Sequence, residues 1–408
     1  MHNCYDFAVI GGGAAGMAAS VSAAACGDKV LLIEKNNMLG RKIAASGNGR
    51  CNIMNNGQAR YFGDTGYAEN VLKYCPKEYL VRFWNSLGVR LCEEDEGRMY
   101  PCTFHSGTIT DAYKIRLKQD GVDIRLQTSV KGIEKSDRVF VIRTDQNSFE
   151  ASRVLIACGG PAAPKLGGTQ SGYQLLAGFG HKIVPAMPAL CPLTTDPRSI
   201  SGLFGIRVRC SAVLKDENDQ PVTRQSGEVL FTKEGISGIC IMQAARFARK
   251  GYKIGLDLTG RIFDKQEDLI EALIHRQKQI GGWPPETLLY GILVPKLSYA
   301  VIKQSGTEMR GRKAGDLSYD EIKQIAGSCM DYTLTLTGNA GMEDAQVSAG
   351  GAECSMFHPN TMESKIVPGL YAAGEVLNVD GDCGGFNLMF ATAGGILAGL
   401  NGREETFA

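Results

Sequence analysis

The sequence predicts an α/β fold: a doubly wound parallel-sheet domain, split between the two ends of the chain, with a block of different character inserted in it. Three observations lead to this. The chain opens with an apolar, β-prone run, Tyr5–Ile10, that enters Gly11-Gly12-Gly13-Ala14-Ala15-Gly16, continues in small residues to Cys26, and returns as Lys29–Ile33 ended by Glu34. Apolar strands ending in glycine recur at Arg153–Gly160 and Leu370–Glu375. Between these, from about Pro185, prolines and short β-like segments give way to charged stretches with helical periodicity.

The opening unit is strand, glycine turn, helix, strand, acid, in about thirty residues, the order of a Rossmann-like dinucleotide-binding unit. Gly11 permits the tight turn out of the strand, Gly13 has no side chain to keep a pyrophosphate away, and Gly16 lets the helix approach the sheet. The helix start, with Ala14 and Ala15, offers free N–H groups and the positive end of the helix dipole. Glu34 can accept the hydroxyls of an adenosine ribose, with Lys35 beside it.

Composition narrows the classes. The chain has 408 residues, 44% hydrophobic and 21% charged, with a net charge of +1. This is ordinary for a globular protein of two or three domains and gives no support to nucleic-acid binding or to an acidic membrane as partner. The 13 cysteines are scattered, with no CxxC and no Cys/His grouping at zinc spacing, so reduced thiols in the cytoplasm are expected and no metal. No basic segment with an apolar core opens the chain, so no signal peptide is expected, and no stretch is long and apolar enough to predict a membrane span. No oligomeric state follows from the sequence.

Past Glu34 lies a second glycine loop, Gly40-Arg41-Lys42 and Ser46-Gly47-Asn48-Gly49-Arg50-Cys51-Asn52, whose cations and main-chain N–H groups can wrap a diphosphate or a polar ring edge. One helix is expected over Ala68–Leu87, with Phe83, Trp84 and Leu87 on its apolar side, then a solvated acidic segment at Glu93–Glu96, and another helix over Thr108–Gln119. Short strands at Asp123–Ser129, Val130–Lys135, Arg138–Thr144 and Phe149–Ser152 suggest an antiparallel meander. Arg153–Ala157 then runs into Cys158-Gly159-Gly160, a close-approach site for backbone, and His181, after a helix-ending glycine, reads as a packing residue.

In the middle block, strands are expected at Ile206–Val213, Pro221–Thr223 and Gly227–Thr232, a helix after Gly238 as far as Arg249, and mostly helix from Asp264 to Gly327. Tyr332–Thr337 alternates as a strand. The C-terminal part returns to glycine: Gly350-Gly351, Gly374-Glu375, then Asp380 to Asn387, and a small-residue helix from Leu388 to Leu400 containing Gly394-Gly395. Each glycine inside that helix costs about 1 kcal/mol against alanine, which close packing or a close cofactor would offset. The expected division is 1–187 for the first part of the split domain, 188–262 for a β-rich insert, 263–330 for a helical subdomain, and 331–408 for a return strand and the second part of the split domain.

These pieces resemble a family. The opening glycine motif with Glu34, Ala157-Cys158-Gly159-Gly160 and Gly374-Glu375 look like the glutathione-reductase-type FAD fold. More specific are the Gly40–Asn52 loop, Gly227–Thr232 with Gly235–Gly238, Thr361–Lys365 and Gly384-Gly385-Phe386-Asn387. Together they are similar to the BaiN-like, or aminoacetone-oxidase-like, FAD-dependent oxidoreductases over nearly the whole chain. That resemblance implies one FAD and oxidoreduction of a small, largely apolar molecule, with NADH or NADPH as donor, and an association with bile-acid metabolism. It implies that Gly11, Gly13, Gly16 and Glu34 hold the ADP half, with Ala14, Ala15, Lys35 and Val130 also binding the cofactor. Arg41, Lys42, Arg50 and Asn52 would lie by the diphosphate or flavin, with Ser46, Gly47, Asn48, Gly49, Ala157, Gly159, Gly160, Gly374 and Glu375 also binding the cofactor. Asp380 would face the ribityl region, and Gly385, Phe386 and Asn387 the pyrimidine edge. Lys42, Arg50 and Tyr100 are candidate proton donors. This chain departs at Phe386, where a tyrosine is common, and at Met389-Phe390, where a more polar pair is usual.

No second GxGxxG follows a strand, so any nicotinamide would reach the flavin from the substrate side. Cys51 and Cys383 have no cysteine at dithiol spacing, which disfavours a dithiol-reductase mechanism. Two other readings belong to different classes: an FAD-dependent RNA-modifying enzyme and a flavin-bound sensor without turnover.

Overall fold

Val30–Ile33 is buried at every residue, as a strand covered on both faces must be. In the computed structural model, which describes residues 4–260 and 262–404, it lies in a seven-stranded sheet. The parallel part runs Asp123–Arg125, Val30–Ile33, Cys4–Ile10 and Ser148–Ile156. The Ser148–Ile156 strand has two neighbours on its far side. Ser148 to Ala151 pairs antiparallel with Val139–Thr144, and Val154 to Ile156 pairs parallel with Leu370–Ala372. Val130–Ser136 completes the meander. Leu370–Ala372 comes from the far end of the chain, so the two ends share one sheet.

The chain forms two compact units: residues 1–188 with 345–408, and residues 189–344. In the first, helix Ala14–Ala25 packs on helix Phe386–Leu400 through glycines. A Cβ on Gly395 would lie 2.2 Å from the Ala15 carbonyl oxygen, and one on Gly399 would lie 2.4 Å from that of Ala19. Residue 15 thus lies level with 395 and 19 with 399, so the helices run parallel. Close helix packing is what offsets the cost of these glycines.

Several sequence expectations need correction. The helix expected over Ala68–Leu87 is two, Thr65–Tyr74 and Lys77–Ser86. Pro76 cannot donate an N–H and instead serves as the cap from which the second helix starts. Asp123–Ser129 is not part of the meander. It ends at Arg125, pairs parallel with Val30–Ile33, and the chain turns at Gln127, whose φ is 51°. Glu93–Glu96 is exposed, as expected, and its first part belongs to a hairpin, Leu91–Glu94 against Arg98–Pro101.

The second unit is a closed six-stranded barrel of Leu193–Thr195, Gly235–Ser237, Pro221–Phe231, Arg207–Lys215, Lys253–Asp257 and Tyr332–Asn339, with the last pairing back to the first. Pro221–Phe231 is one strand rather than two. Its polar run Arg224-Gln225-Ser226 stays in register with Val213, Ala212 and Ser211, and its side chains alternate between faces. The helix expected as far as Arg249 covers only Ile239–Ala245, because Gly235–Ser237 is a barrel strand and the hydrogen bonds beyond Ala245 tighten into turns. Helices Gln266–Ile280, Pro295–Gln304 and Tyr319–Met330 follow. The last starts at a capping box in which Ser318 and Glu321 satisfy each other's N–H groups. Among the described residues no helix is long and apolar enough to cross a membrane.

Candidate functional site

The site forms where three glycine turns of the first unit meet. At the first, a Cβ on Gly11 would sit 2.4 Å from the Ala157 carbonyl oxygen and one on Gly16 would sit 1.8 Å from that of Gly11, so strand ends and helix start are held at backbone contact. Gly13, in contrast, faces open space: no atom lies within 4 Å of where its Cβ would be. The helix that begins at Ala14 has no side-chain cap and no acid in its first turn. Its N–H groups and dipole are left for an anion.

Glu34 is buried and already organised. Its Oε2 accepts from the Gly12 N–H at 2.7 Å, and its Oε1 accepts from the Asn36 N–H at 2.8 Å and the Asn36 side chain at 2.6 Å. Oε2, with one bond made, keeps acceptor capacity for a ribose hydroxyl. The neighbouring Lys35 has its pKa lowered by burial. The Thr128 N–H donates to the Glu34 carbonyl at 3.0 Å, which brings the start of the Val130–Ser136 strand, and Val130 with it, beside this acid.

The second loop is anchored to the first by the Gly40 N–H, which donates to the Gly12 carbonyl at 2.9 Å. Arg41 binds the Asn36 side chain at 3.0 Å and the Lys165 carbonyl at 2.8 Å, and Ser46 donates to the Ile43 carbonyl at 2.8 Å. Gly47, Asn48 and Gly49 wind left-handed, with φ of 57°, 55° and 83°. Asn52 Oδ1 is buried without a partner. A Cβ on Gly385 would lie 2.7 Å from it, so Asn52 adjoins the start of the Phe386–Leu400 helix.

Lys42 is not a free cation. Its Nζ donates to Glu375 Oε2 at 2.9 Å, while Glu375 Oε1 accepts from the Ser348 N–H, also at 2.9 Å. Gly160 faces this cluster: a Cβ there would meet Ser348 Oγ at 2.6 Å, and Glu375 Oε1 and the Tyr173 hydroxyl at 2.9 Å. That hydroxyl is buried without a partner. Ser348 and Tyr173 were not among the expected site residues: each lies beside glycines, Gly350-Gly351 and Gly172, but nothing local shows that both converge on Gly160 and Glu375.

At the third turn, Asp380 is buried in the Val379–Gly381 strand. The Asn387 side chain closes two hydrogen bonds on the Gly381 peptide, both 2.8 Å, so it holds the turn while its own N–H stays at the helix start. Gly385 caps the helix with φ 102°, and there is again no side-chain cap and no acid in the first turn. Gly374 fits between Ala15 and Ala391, where its Cβ would be 3.1 and 3.4 Å from theirs.

The two helix starts are therefore aligned in a specific way. Ala14 is level with Gly394, while the second helix begins at Phe386, eight residues earlier. At 1.5 Å per residue the two N-termini are staggered by about 12 Å along one direction. An extended ligand with negative charge at one point and an electron-accepting edge further along fits this pair.

Of the proton-donor candidates, Arg50 and Tyr100 are brought together. The Arg50 guanidinium lies 4.4 Å from the Tyr100 ring centre and 4.6 Å from that of Phe104, and it pairs with Glu94 at 2.6 Å. Burial raises the Tyr100 pKa. The thiols nearby are held protonated by burial: Cys51 is pushed up to about 11 and Cys158 to about 12, and Cys383 is raised as well. His181 is a packing residue, bonded through its ring nitrogens to the Leu176 carbonyl at 3.1 Å and Ser364 Oγ at 2.8 Å and stacked on Phe357.

Comparison with known proteins agrees with this geometry. The model of the HI0933-like protein Rossmann domain matches residues 5–401. The chain is 33% identical to a 3-dehydro-bile acid delta(4,6)-reductase of Clostridium scindens, over 97% of this chain and 98% of that one. It is 29% identical to a ribosomal RNA dihydrouridine synthase of Escherichia coli, over 95% of each. Among solved structures, a 3-ketosteroid-delta4-(5alpha)-dehydrogenase of Rhodococcus jostii shares the fold, with a TM-score of 0.51 at 17% identity, over 99% of this chain and 98% of that one. With glycine turns, strand-end acid and staggered helix starts all lying within the matched residues, the chain belongs to the HI0933-like family of Rossmann-type FAD-binding proteins.

Proposed function

We propose that this protein is an FAD-dependent reductase that saturates a carbon–carbon double bond conjugated to a carbonyl, in a small, largely apolar substrate of steroid or bile-acid type, with NADH or NADPH as donor. The single observation that supports the cofactor best is the pair of uncapped helix starts set about 12 Å apart beside the open face of Gly13. The reaction class is supported by the relatives. One is named for reduction of a delta(4,6) 3-dehydro-bile acid. The other is named for making dihydrouridine, which is uridine saturated at the ring double bond conjugated to a carbonyl.

When bound, the isoalloxazine would supply the two-electron chemistry. The chain's own residues bind and orient. The Ala14 helix start would take the diphosphate and Glu34 the adenosine ribose. The N–H groups of Gly385, Phe386 and Asn387 would oppose negative charge on the pyrimidine edge. The Lys42–Glu375 pair fixes the wall between the second loop and the Gly374 turn. Saturating the bond adds two electrons and two protons. The Tyr100 phenol, kept protonated by burial, is our candidate for the proton delivered beside the carbonyl, and Arg50 for the group that orients that carbonyl. We read the first unit as glutathione-reductase type, a reading supported by the antiparallel meander joined to its parallel sheet.

The test is anaerobic addition of NADH and, separately, NADPH to the flavin-loaded protein. Rapid bleaching of the flavin bands by one donor is the expected result, and bands that stay oxidised with both would overturn the donor assignment.

A second reading, reduction of uridine in ribosomal RNA, is favoured by the relatives named for it, at 29% and 27% identity. The net charge of +1 gives it no phosphate-binding surplus. Loss of uridine from ribosomal RNA incubated with the reduced protein, with no turnover of an enone steroid, would establish this second reading in place of the first.

A further inference from the structure

The hairpin beside Arg50 carries two cysteines whose closeness the sequence conceals. Leu91–Glu94 pairs antiparallel with Arg98–Pro101, with Cys92 opposite Tyr100 and Glu94 opposite Arg98. Directly opposed residues share a face, and so do residues two apart along a strand. Cys92, Tyr100 and Cys102 therefore fall on one side. The Cys102 N–H donates to the Arg90 carbonyl at 2.8 Å, which extends the ladder past the last strand residue and holds Cys102 in line. Cys92 and Cys102 are thus diagonal neighbours on that face, and Cys92 Sγ donates to the Tyr100 carbonyl at 3.7 Å. Cys102 is exposed and Cys92 is partly so.

A second pair of neighbouring cysteines gives a comparison within the same chain. Cys210 lies opposite Gly227, whose added Cβ would sit 3.5 Å from Cys240 Cβ, but both cysteines are buried. Accessibility separates the two pairs: an oxidant in solution reaches the hairpin cysteines and not the buried ones.

We propose that Cys92 and Cys102 form a redox-modification site: an accessible dithiol that hydrogen peroxide converts to a cross-strand disulfide, reversed by small thiols. Cys102 is the more exposed of the two and so reacts first. The Cys102 thiolate attacks one peroxide oxygen, the O–O bond breaks, and a sulfenic acid and hydroxide result. The Cys92 sulfur then displaces hydroxide from the Cys102 sulfur, forming the S–S bond. The two thiol protons end on the two hydroxides as water, and the two electrons lost by sulfur are those gained by the O–O bond. The bond would lock the hairpin that carries Glu94 and Tyr100, the partners of Arg50.

The test treats the full-length, flavin-loaded protein with hydrogen peroxide, alkylates it under denaturing conditions and maps the peptides by mass. The expected result is loss of alkylation at Cys92 and Cys102 together, a cross-linked peptide lighter by two hydrogens, full alkylation of Cys210 and Cys240, and recovery of the free thiols with dithiothreitol. Cys92→Ser and Cys102→Ser should each abolish the cross-link. Alkylation of both cysteines after peroxide would overturn the proposal, as would oxidation of Cys102 to sulfinic or sulfonic acid without a cross-link. None of these readouts depends on turnover, so the site stands or falls apart from the proposed reaction.

Discussion

Gly394 and Gly395 are adjacent on one helix yet should respond oppositely to alanine. Either substitution gains about 1 kcal/mol of helix propensity. At Gly395 the new Cβ would lie 2.2 Å from the Ala15 carbonyl oxygen, a backbone atom, where ordinary contact begins near 3.4 Å. The helices would have to part by the difference, roughly 1.2 Å, enough to forfeit about half of the dispersion energy along the contact. Overpacking against atoms that cannot turn aside costs about 3 kcal/mol, the upper part of the usual range. The net for Gly395→Ala is then about 2 kcal/mol of destabilisation. At Gly394 the Cβ meets Met362 Cε at 3.0 Å, the end of a flexible side chain, and most of the propensity gain should survive. Thermal unfolding followed by circular dichroism should place Gly395→Ala about 4–8 °C below the parent and Gly394→Ala level with it or about 2–4 °C above. Gly395→Ala should also hold FAD more weakly, because the stagger of the helix starts depends on that contact. Equal stability of the two variants would refute the parallel close packing on which the site geometry rests.

Three further outcomes are expected. Glu34→Gln removes a charged acceptor of three hydrogen bonds and should weaken FAD binding about 10- to 100-fold with the fold retained, as measured by titrating FAD into apoprotein. Lys42→Met and Glu375→Gln should each destabilise the apoprotein, and their double-mutant cycle should give a coupling of about 1 kcal/mol in urea unfolding, since the pair is only partly exposed. Burial lowers the folded-state pKa of His181, so its contribution is present above the unfolded value near 6.5 and is lost as pH falls below it. Stability measured from pH 8 down to 5 should decline, and His181→Gln should flatten that slope.

How much of this was legible in the sequence depended on range. The opening unit was readable because all its constraints are local: Gly11, Gly16 and Glu34 act within a span of residues whose spacing prescribes the turn. Val154–Ile156 and Leu370–Ala372 were both readable as buried strands, but their pairing was not, because it joins distant segments. The same holds for Lys42 and Glu375, which are 333 residues apart. Each was a plausible site residue by motif, and only the fold makes them one ion pair. The break at Pro76 was available in the sequence and was overridden by the apolar periodicity on either side of it. Gln127 gave no signal, since nothing in its chemistry announces a left-handed turn. Cys92 and Cys102 look unrelated at their spacing, and only hairpin register makes them neighbours.

The most direct test of the account is to reduce the flavin-loaded protein anaerobically with light and then mix it with a steroid carrying a 3-keto group conjugated to ring double bonds. The account predicts return of the oxidised flavin spectrum and a steroid product heavier by two hydrogens. Reduced protein that stays reduced with the steroid, or a protein that takes up no FAD at all, would contradict it.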